Sequence, residues 1–131
     1  MTTVLNTQPL DVERSLVCVV DGDPAVRDGL TYLCQSNGHS AVGFATRFAF
    51  LKALDDLVAK CVICEAQLPD GSGLSLFEEL RRRGNDVPFA LLLSRPGEGE
   101  IIQAERLGVQ FVWKKPLTAD SALAEFLEAQ R

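Results

Sequence analysis

No stretch of this 131-residue chain approaches the roughly 20 consecutive apolar residues of a membrane-spanning helix. The N-terminal Met1-Thr-Thr-Val-Leu-Asn-Thr-Gln-Pro has neither a basic start nor a long apolar segment, which weighs against a secretory leader. No membrane association and a cytoplasmic location are the expectations. Positive charge is also scarce: 13 Lys and Arg stand against 18 Asp and Glu, a formal net charge of -5. Binding to the phosphate backbone of a nucleic acid needs a concentrated cationic face, so no nucleic-acid partner is expected. The triplet Arg81-Arg82-Arg83 is too short to supply that face and better suits the C-terminus of a helix, just before a stop at Gly84. The single histidine, His39, lies in a Gly-His-Ser turn where a solvent-facing side chain is expected, and no second histidine or cysteine sits beside it to build a metal site. Internal repeats, linkers and low-complexity segments are absent.

What is present is a composition of 47% hydrophobic and 24% charged residues, enough for one domain with a real core and too short for two. Residues 1–14 form an N-terminal extension and 15–131 the domain. Four cysteines in a chain that can core itself are expected to be reduced and to behave as small apolar side chains. Cys61 and Cys64 have Cys-x-x-Cys spacing but lie in a β-like run, where residues three apart point to opposite faces. That geometry defeats a shared metal and an easy disulfide.

Short apolar runs alternate with helical patterns along the whole length. Residues 16–21 are an apolar run ending in an acid. Residues 24–37 follow with Val26, Leu30 and Leu33 on one helix face, Asp23 as N-cap, Pro24 at the first helical position and Asn37-Gly38 at the stop. Further strands are expected at 41–44, 61–65, 89–93 and 109–113, and further helices at 46–57, 74–83, 98–107 and 118–130. Five βα units with near-continuous apolar strands predict an α/β domain, a single doubly wound (βα)5 unit with a central parallel sheet covered by helices on both faces.

Open parallel sheets gather their chemistry at the carboxyl ends of the strands. Those ends carry Asp21, Gly22 and Asp23 after the first strand and Glu65 after the third. Ser94 and Arg95 follow the fourth strand, and Lys114 and Lys115 precede Pro116 after the fifth. Acids, a hydroxyl and a lysine on separate strand ends form one coherent polar site.

Four segments carry a resemblance to a known family. They are Val19-Val-Asp-Gly-Asp-Pro-Ala-Val-Arg, Glu65-Ala-Gln-Leu-Pro-Asp-Gly-Ser-Gly-Leu, Leu91-Leu-Leu-Ser and Trp113-Lys-Lys-Pro-Leu. From about residue 15 to 130 the chain resembles a bacterial response-regulator receiver domain, most of all receivers that precede helix-turn-helix output domains. The resemblance implies a flavodoxin-like five-stranded parallel sheet in the order 2-1-3-4-5 and a non-enzymatic role in two-component signal transduction.

In that family two acids at the end of the first strand and an acceptor aspartate on the third hold a Mg²⁺ that bridges to the incoming phosphoryl group. Here Asp21 matches the first acid, Gly22 replaces the second and Glu65 replaces the acceptor. Asp23 either swings into this acidic pocket or caps the helix before Pro24. With Asp21 the one matching ligand left, the Mg²⁺ site is expected to be degraded and no cofactor is expected. Ser94 matches the hydroxyl that contacts the phosphoryl oxygen, and Lys115 the lysine that pairs with the acceptor; the family usually has a cis bond before the following proline, here Pro116. Arg95 departs from the usual small residue and either covers the pocket and forks onto Glu65 or points to solvent. Val112 stands at the aromatic switch position, so the usual rotamer swing is lost.

The leading expectation is an atypical receiver that acts as a phosphorylation-independent interaction module, Glu65 imitating a phosphorylated acceptor. Its partner would be a kinase, an output protein or a transcription regulator. By resemblance the face of the fourth helix, fifth strand and fifth helix docks that partner, or a second copy as a homodimer, around Ile101, Arg106, Val112 and Lys114. Two alternatives stay open: a receiver phosphorylated on Asp21 or Asp23, and a small α/β enzyme or nucleotide binder using the same crevice. Against the last, Asp21-Gly-Asp-Pro has one glycine and two acids where a phosphate loop needs several glycines. No DNA-binding or catalytic output domain is expected in this chain.

Overall fold

Alternate residues of the apolar strands face opposite sides of one sheet, and each side is covered by helices. The computed structural model describes residues 15–94, 98–115, 117 and 121–130. In chain order the elements are β1 (Ser15–Val20), α1 (Pro24–Ser36), β2 (Ala41–Phe44), α2 (Arg47–Ala53), β3 (Val58–Glu65), α3 (Gly73–Arg82), β4 (Phe89–Leu93), α4 (Glu98–Leu107), β5 (Phe111–Lys114) and α5 (Ser121–Glu128). A single 3-10 turn (Leu54–Asp56) links α2 to β3, and a hairpin of Gln67–Leu68 with Gly71–Ser72 links β3 to α3. The five main strands are parallel in the order β2-β1-β3-β4-β5, as expected. The N-terminal extension 1–14, Arg95 and Pro116 lie outside the described residues.

The two faces bury separate clusters. Cys18, Val20, Val62, Cys64, Leu91 and Leu93 pack with Phe50, Leu76, Leu80 and Ala104 of α2, α3 and α4. Val17, Val19, Cys61, Ile63, Ala90 and Leu92 pack with Leu30 and Cys34 of α1 and with Leu123, Phe126 and Leu127 of α5. Each fully buried leucine contributes about 2 kcal/mol. Cys61 and Cys64 thus belong to opposite cores, and all four cysteines are buried free thiols.

Three helices end the same way. Gly38, Gly84 and Gly108 follow α1, α3 and α4 with φ of 85, 75 and 96°, where a β-carbon is disfavoured. The next residue's N–H closes back on the helix in each case: His39 to Cys34 O (3.0 Å), Asn85 to Leu80 O (2.9 Å) and Val109 to Ala104 O (3.0 Å). The residue at that position frequently packs back on the helix it ends. This explains one departure from the sequence-based expectation: His39 is buried, not solvent-facing. It also moves the start of β5 from 109 to Phe111, because Val109 belongs to the helix stop.

A second departure concerns residues 46–57, expected as one helix. The α-helix stops at Ala53, the 3-10 turn tightens the chain, and extended Leu57 launches β3 at Val58, three residues earlier than expected. Pairing of Val58 and Ala59 with Ser15 and Leu16 overrides the weak strand signal there. The register then skips Lys60, which is left as a bulge between the Leu16 and Val17 pairs. The Lys60 ammonium lies 3.2 Å from His39 Nδ1.

Candidate functional site

Extending the strand alternation by one step builds the site. Val17 and Val19 lead to Asp21, Cys61 and Ile63 to Glu65, Ala90 and Leu92 to Ser94, and Phe111 and Trp113 to Lys115. All four site residues therefore continue rows belonging to the sheet face covered by α1 and α5.

The carboxylates of Asp21 and Glu65 are 2% and 4% exposed. Lys115 stands between them, with its Nζ 2.9 Å from Asp21 Oδ2 and in direct contact with Glu65 Oε2. The other carboxylate oxygens are also engaged. Asp21 Oδ1 accepts from the Asp23 N–H at 2.9 Å, and Glu65 Oε1 accepts at 3.3 Å from both the Gln67 N–H and the Ser94 hydroxyl. Burial works against the Lys115 ammonium, but its hydrogen bonds to Glu65 and Asp21, and their charges, outweigh that effect and hold its pKa above the usual value. The Lys115 N–H donates to Leu93 O at 2.9 Å, so the lysine is held by the β4–β5 ladder. Arg27 donates to Asp21 O at 2.8 Å.

The loop after β3 closes around this cluster. A β-carbon on Gly22 would lie 2.9 Å from Cδ and Cγ of Pro69, so the proline ring occupies the space next to the position of the family's second acid. A β-carbon on Gly73 would lie 2.4 Å from Glu65 O, so only glycine lets α3 start this close to the end of β3. Asp70 Oδ1 and Oδ2 accept from the Arg47 and Phe48 N–H groups at 2.9 Å each, capping α2 from the loop that follows Glu65. Desolvation opposes the Asp70 charge, but its backbone hydrogen bonds and the nearby Arg47 charge together outweigh that effect and hold its pKa below the usual carboxylate value.

The expected residues are placed unequally. Asp21, Glu65, Ser94 and Lys115 come together. Asp23, grouped with Asp21 as an acid of the pocket, is instead exposed, its Oδ1 accepting from the Ala25 N–H at 2.9 Å as the cap of α1. A cap geometry fixes that side chain outward, where it satisfies an otherwise open helix N–H. Around α4 and β5, Arg106 and Lys114 are exposed, while Ile101 and Val112 are partly buried against the core. Among the described residues no group of three or more His, Cys, Asp or Glu side chains is arranged to hold a metal ion. Pro69 and Asp70 carry no role that the sequence pattern marks. Their contacts run to Gly22 and to the start of α2, which no periodicity reveals.

The sheet order and the strand-end cluster place the chain in the flavodoxin-like class of doubly wound α/β domains. Within that class it belongs to the response regulator receiver domain family, whose match spans residues 17–127. It is 31% identical over 118 residues to the Transcriptional regulatory protein FixJ of Bradyrhizobium diazoefficiens, covering 88% of this chain and 56% of that protein. It is 30% identical over 123 residues to the Regulator of RpoS of Escherichia coli, covering 94% of this chain and 36% of that protein. The chain thus spans about half or less of the length of these relatives. Among solved structures, a response regulator receiver protein from Pseudomonas putida superposes with a TM-score of 0.80 at 24% identity, over 88% of this chain and 97% of that one. The FixJ-N crystal structure does so with 0.77 at 22%, over 88% and 92%. Receiver domains are signalling modules, not enzymes. Among the described residues no helix is long and apolar enough to cross a membrane.

Proposed function

We propose that this receiver works as a protein-interaction module without phosphoryl transfer, Glu65 holding the acceptor position. The observation that carries this reading is Lys115 bound at once to Asp21 and Glu65. A glutamate reaches one methylene further than an aspartate, and its carboxylate sits on the lysine without any phosphoryl group. One carboxylate carries about -1 where a phosphoryl group carries roughly -1.5 to -2, so the imitation is partial. Mg²⁺ demands near-octahedral oxygen ligands. Here every oxygen of the two buried carboxylates already faces an N–H, ammonium or hydroxyl donor, and Pro69 stands beside Gly22. The residues present do not fit the ion.

The partner, on this reading, is a kinase, an output protein or a transcription regulator, in keeping with relatives named as a transcriptional regulatory protein and a regulator of RpoS. Arg106 and Lys114 supply exposed positive charge on α4 and β5, beside the exposed acids Glu105, Glu125 and Glu128, and Ile101 and Val112 are partly buried against the core; a second copy of the chain on the same face is the alternative. The test is intact-mass spectrometry after incubation with acetyl phosphate and Mg²⁺. No phosphoryl adduct is expected. An adduct mapping to Asp21, Asp23 or Glu65 overturns the proposal.

A further inference from the structure

We propose that the cleft between α1 and the ends of β4 and β5 binds a small apolar molecule that ends in a neutral hydrogen-bond acceptor, a ketone or amide carbonyl. The cleft has a volume of about 570 Å³ and is lined by Val26, Gly29, Leu33, Leu92 and Leu117, with Ser94 and Lys115 among its walls. Apolar walls with a few converging polar groups at one end are the usual form of a small-molecule site, and the volume lies inside the usual range of about 300–1,000 Å³. Tyr32, 69% exposed, stands at the rim on α1.

Gly29 is the independent observation. It sits in the interior of α1, where glycine is unfavourable, and its backbone has no positive φ to require it. A β-carbon built there meets nothing within 4 Å, so packing does not require the glycine either. What its bare backbone does is widen the cleft.

The polar end sets the ligand's chemistry. Lys115 carries three N–H donors, and its described ion pairs are the two with Asp21 and Glu65. A third Lys115 N–H is available to an acceptor, while the Ser94 hydroxyl proton is already given to Glu65 Oε1. An anionic ligand would add a third negative group beside two buried carboxylates sharing one ammonium, whereas a carbonyl oxygen takes the N–H without that repulsion. The site goes beyond the proposed function and rests on its reading of an unphosphorylated position 65, which leaves the third Lys115 N–H free of a phosphoryl group.

The test titrates the full chain with a neutral acetyl-(dimethylamino)naphthalene, whose emission moves to the blue in apolar surroundings, and with anionic anilinonaphthalene sulfonate. The ketone is expected to bind saturably to wild type. Binding should be roughly tenfold or more weaker to Gly29→Leu, whose side chain enters the cleft, and intermediate to Gly29→Ala. Both variants are expected to keep the wild-type helical circular dichroism, since an added β-carbon meets no neighbour. Absence of saturable ketone binding, or equal affinity for wild type and Gly29→Leu, overturns the site. Sulfonate binding as tight as the ketone's overturns the neutral-acceptor assignment.

Discussion

Pro69 lies 2.9 Å from the point that a β-carbon on Gly22 would occupy. The proline ring is short and stiff, so any larger residue at 22 has to displace the loop that follows Glu65. Gly22→Ala is expected to lower stability by about 1–3 kcal/mol through overpacking. In a Pro69→Ala background the same change should cost much less, a coupling that a double-mutant cycle of urea midpoints measures. Equal losses in the two backgrounds would show that Pro69 is not the obstacle.

Removing the shared cation should be costly. Lys115→Met leaves Asp21 and Glu65 buried against each other without a partner, and a loss of about 3–5 kcal/mol at neutral pH is expected for breaking such a pair. Adding Glu65→Gln to that variant should recover part of the loss, because one of the two stranded charges is gone. A loss below about 0.5 kcal/mol, as for an ordinary surface change, would contradict the account.

Alkali should weaken the fold. Burial pushes the Cys18 and Cys61 thiols up to about 12 and Cys34 to about 11, from an ordinary 9.0. Above pH 9.0 the unfolded chain releases these protons while the folded one keeps them, so stability falls as pH rises through that window. Each thiol contributes up to about 1.4 kcal/mol per pH unit there. Lys115, also raised, adds to the loss above its ordinary 10.5. Urea midpoints between pH 7 and 10.5 check this, and Cys18→Val should flatten the slope; a pH-independent midpoint would refute it.

Mg²⁺ at millimolar concentration should leave the fluorescence of Trp113 unchanged. This sole tryptophan stacks edge-on with Phe111 and Phe126, two residues before Lys115, close enough to report a rearranged site. Saturable quenching would reveal a working metal site.

Partner binding should follow the charge and reach at position 65. Once a partner is isolated, Glu65→Asp is expected to weaken binding because the shorter side chain withdraws from Lys115, and Glu65→Gln to abolish it. Equal affinity for all three proteins in a calorimetric titration would remove Glu65 from the mechanism.

Much of this was legible in the chain itself. Apolar strands ending in Asp21, Glu65, Ser94 and Lys115 announce both the parallel sheet and the cluster, because strand direction and side-chain alternation are local properties. The Asp23 cap and the glycine stops are equally local. What escaped depends on contacts across the sequence. His39 is buried by the way α1 ends, β3 starts early because Ser15 and Leu16 wait for it, and Asp70 reaches back to Arg47 and Phe48. The cleft beside α1 needs the positions of Leu92 and Leu117 as well as the bare backbone of Gly29.

The bulge at Lys60 acts as a phase shifter in β3. Below it, Val58 and Ala59 follow the beat of Ser15 and Leu16; above it the count restarts with Cys61 opposite Val17, which puts Glu65 in step with Asp21 and Lys115. A one-residue change in length at the base of the strand can therefore be absorbed at the bulge without rotating Glu65 away from its lysine. The region between Leu57 and Lys60 is where this domain can vary in length while its charged centre keeps time.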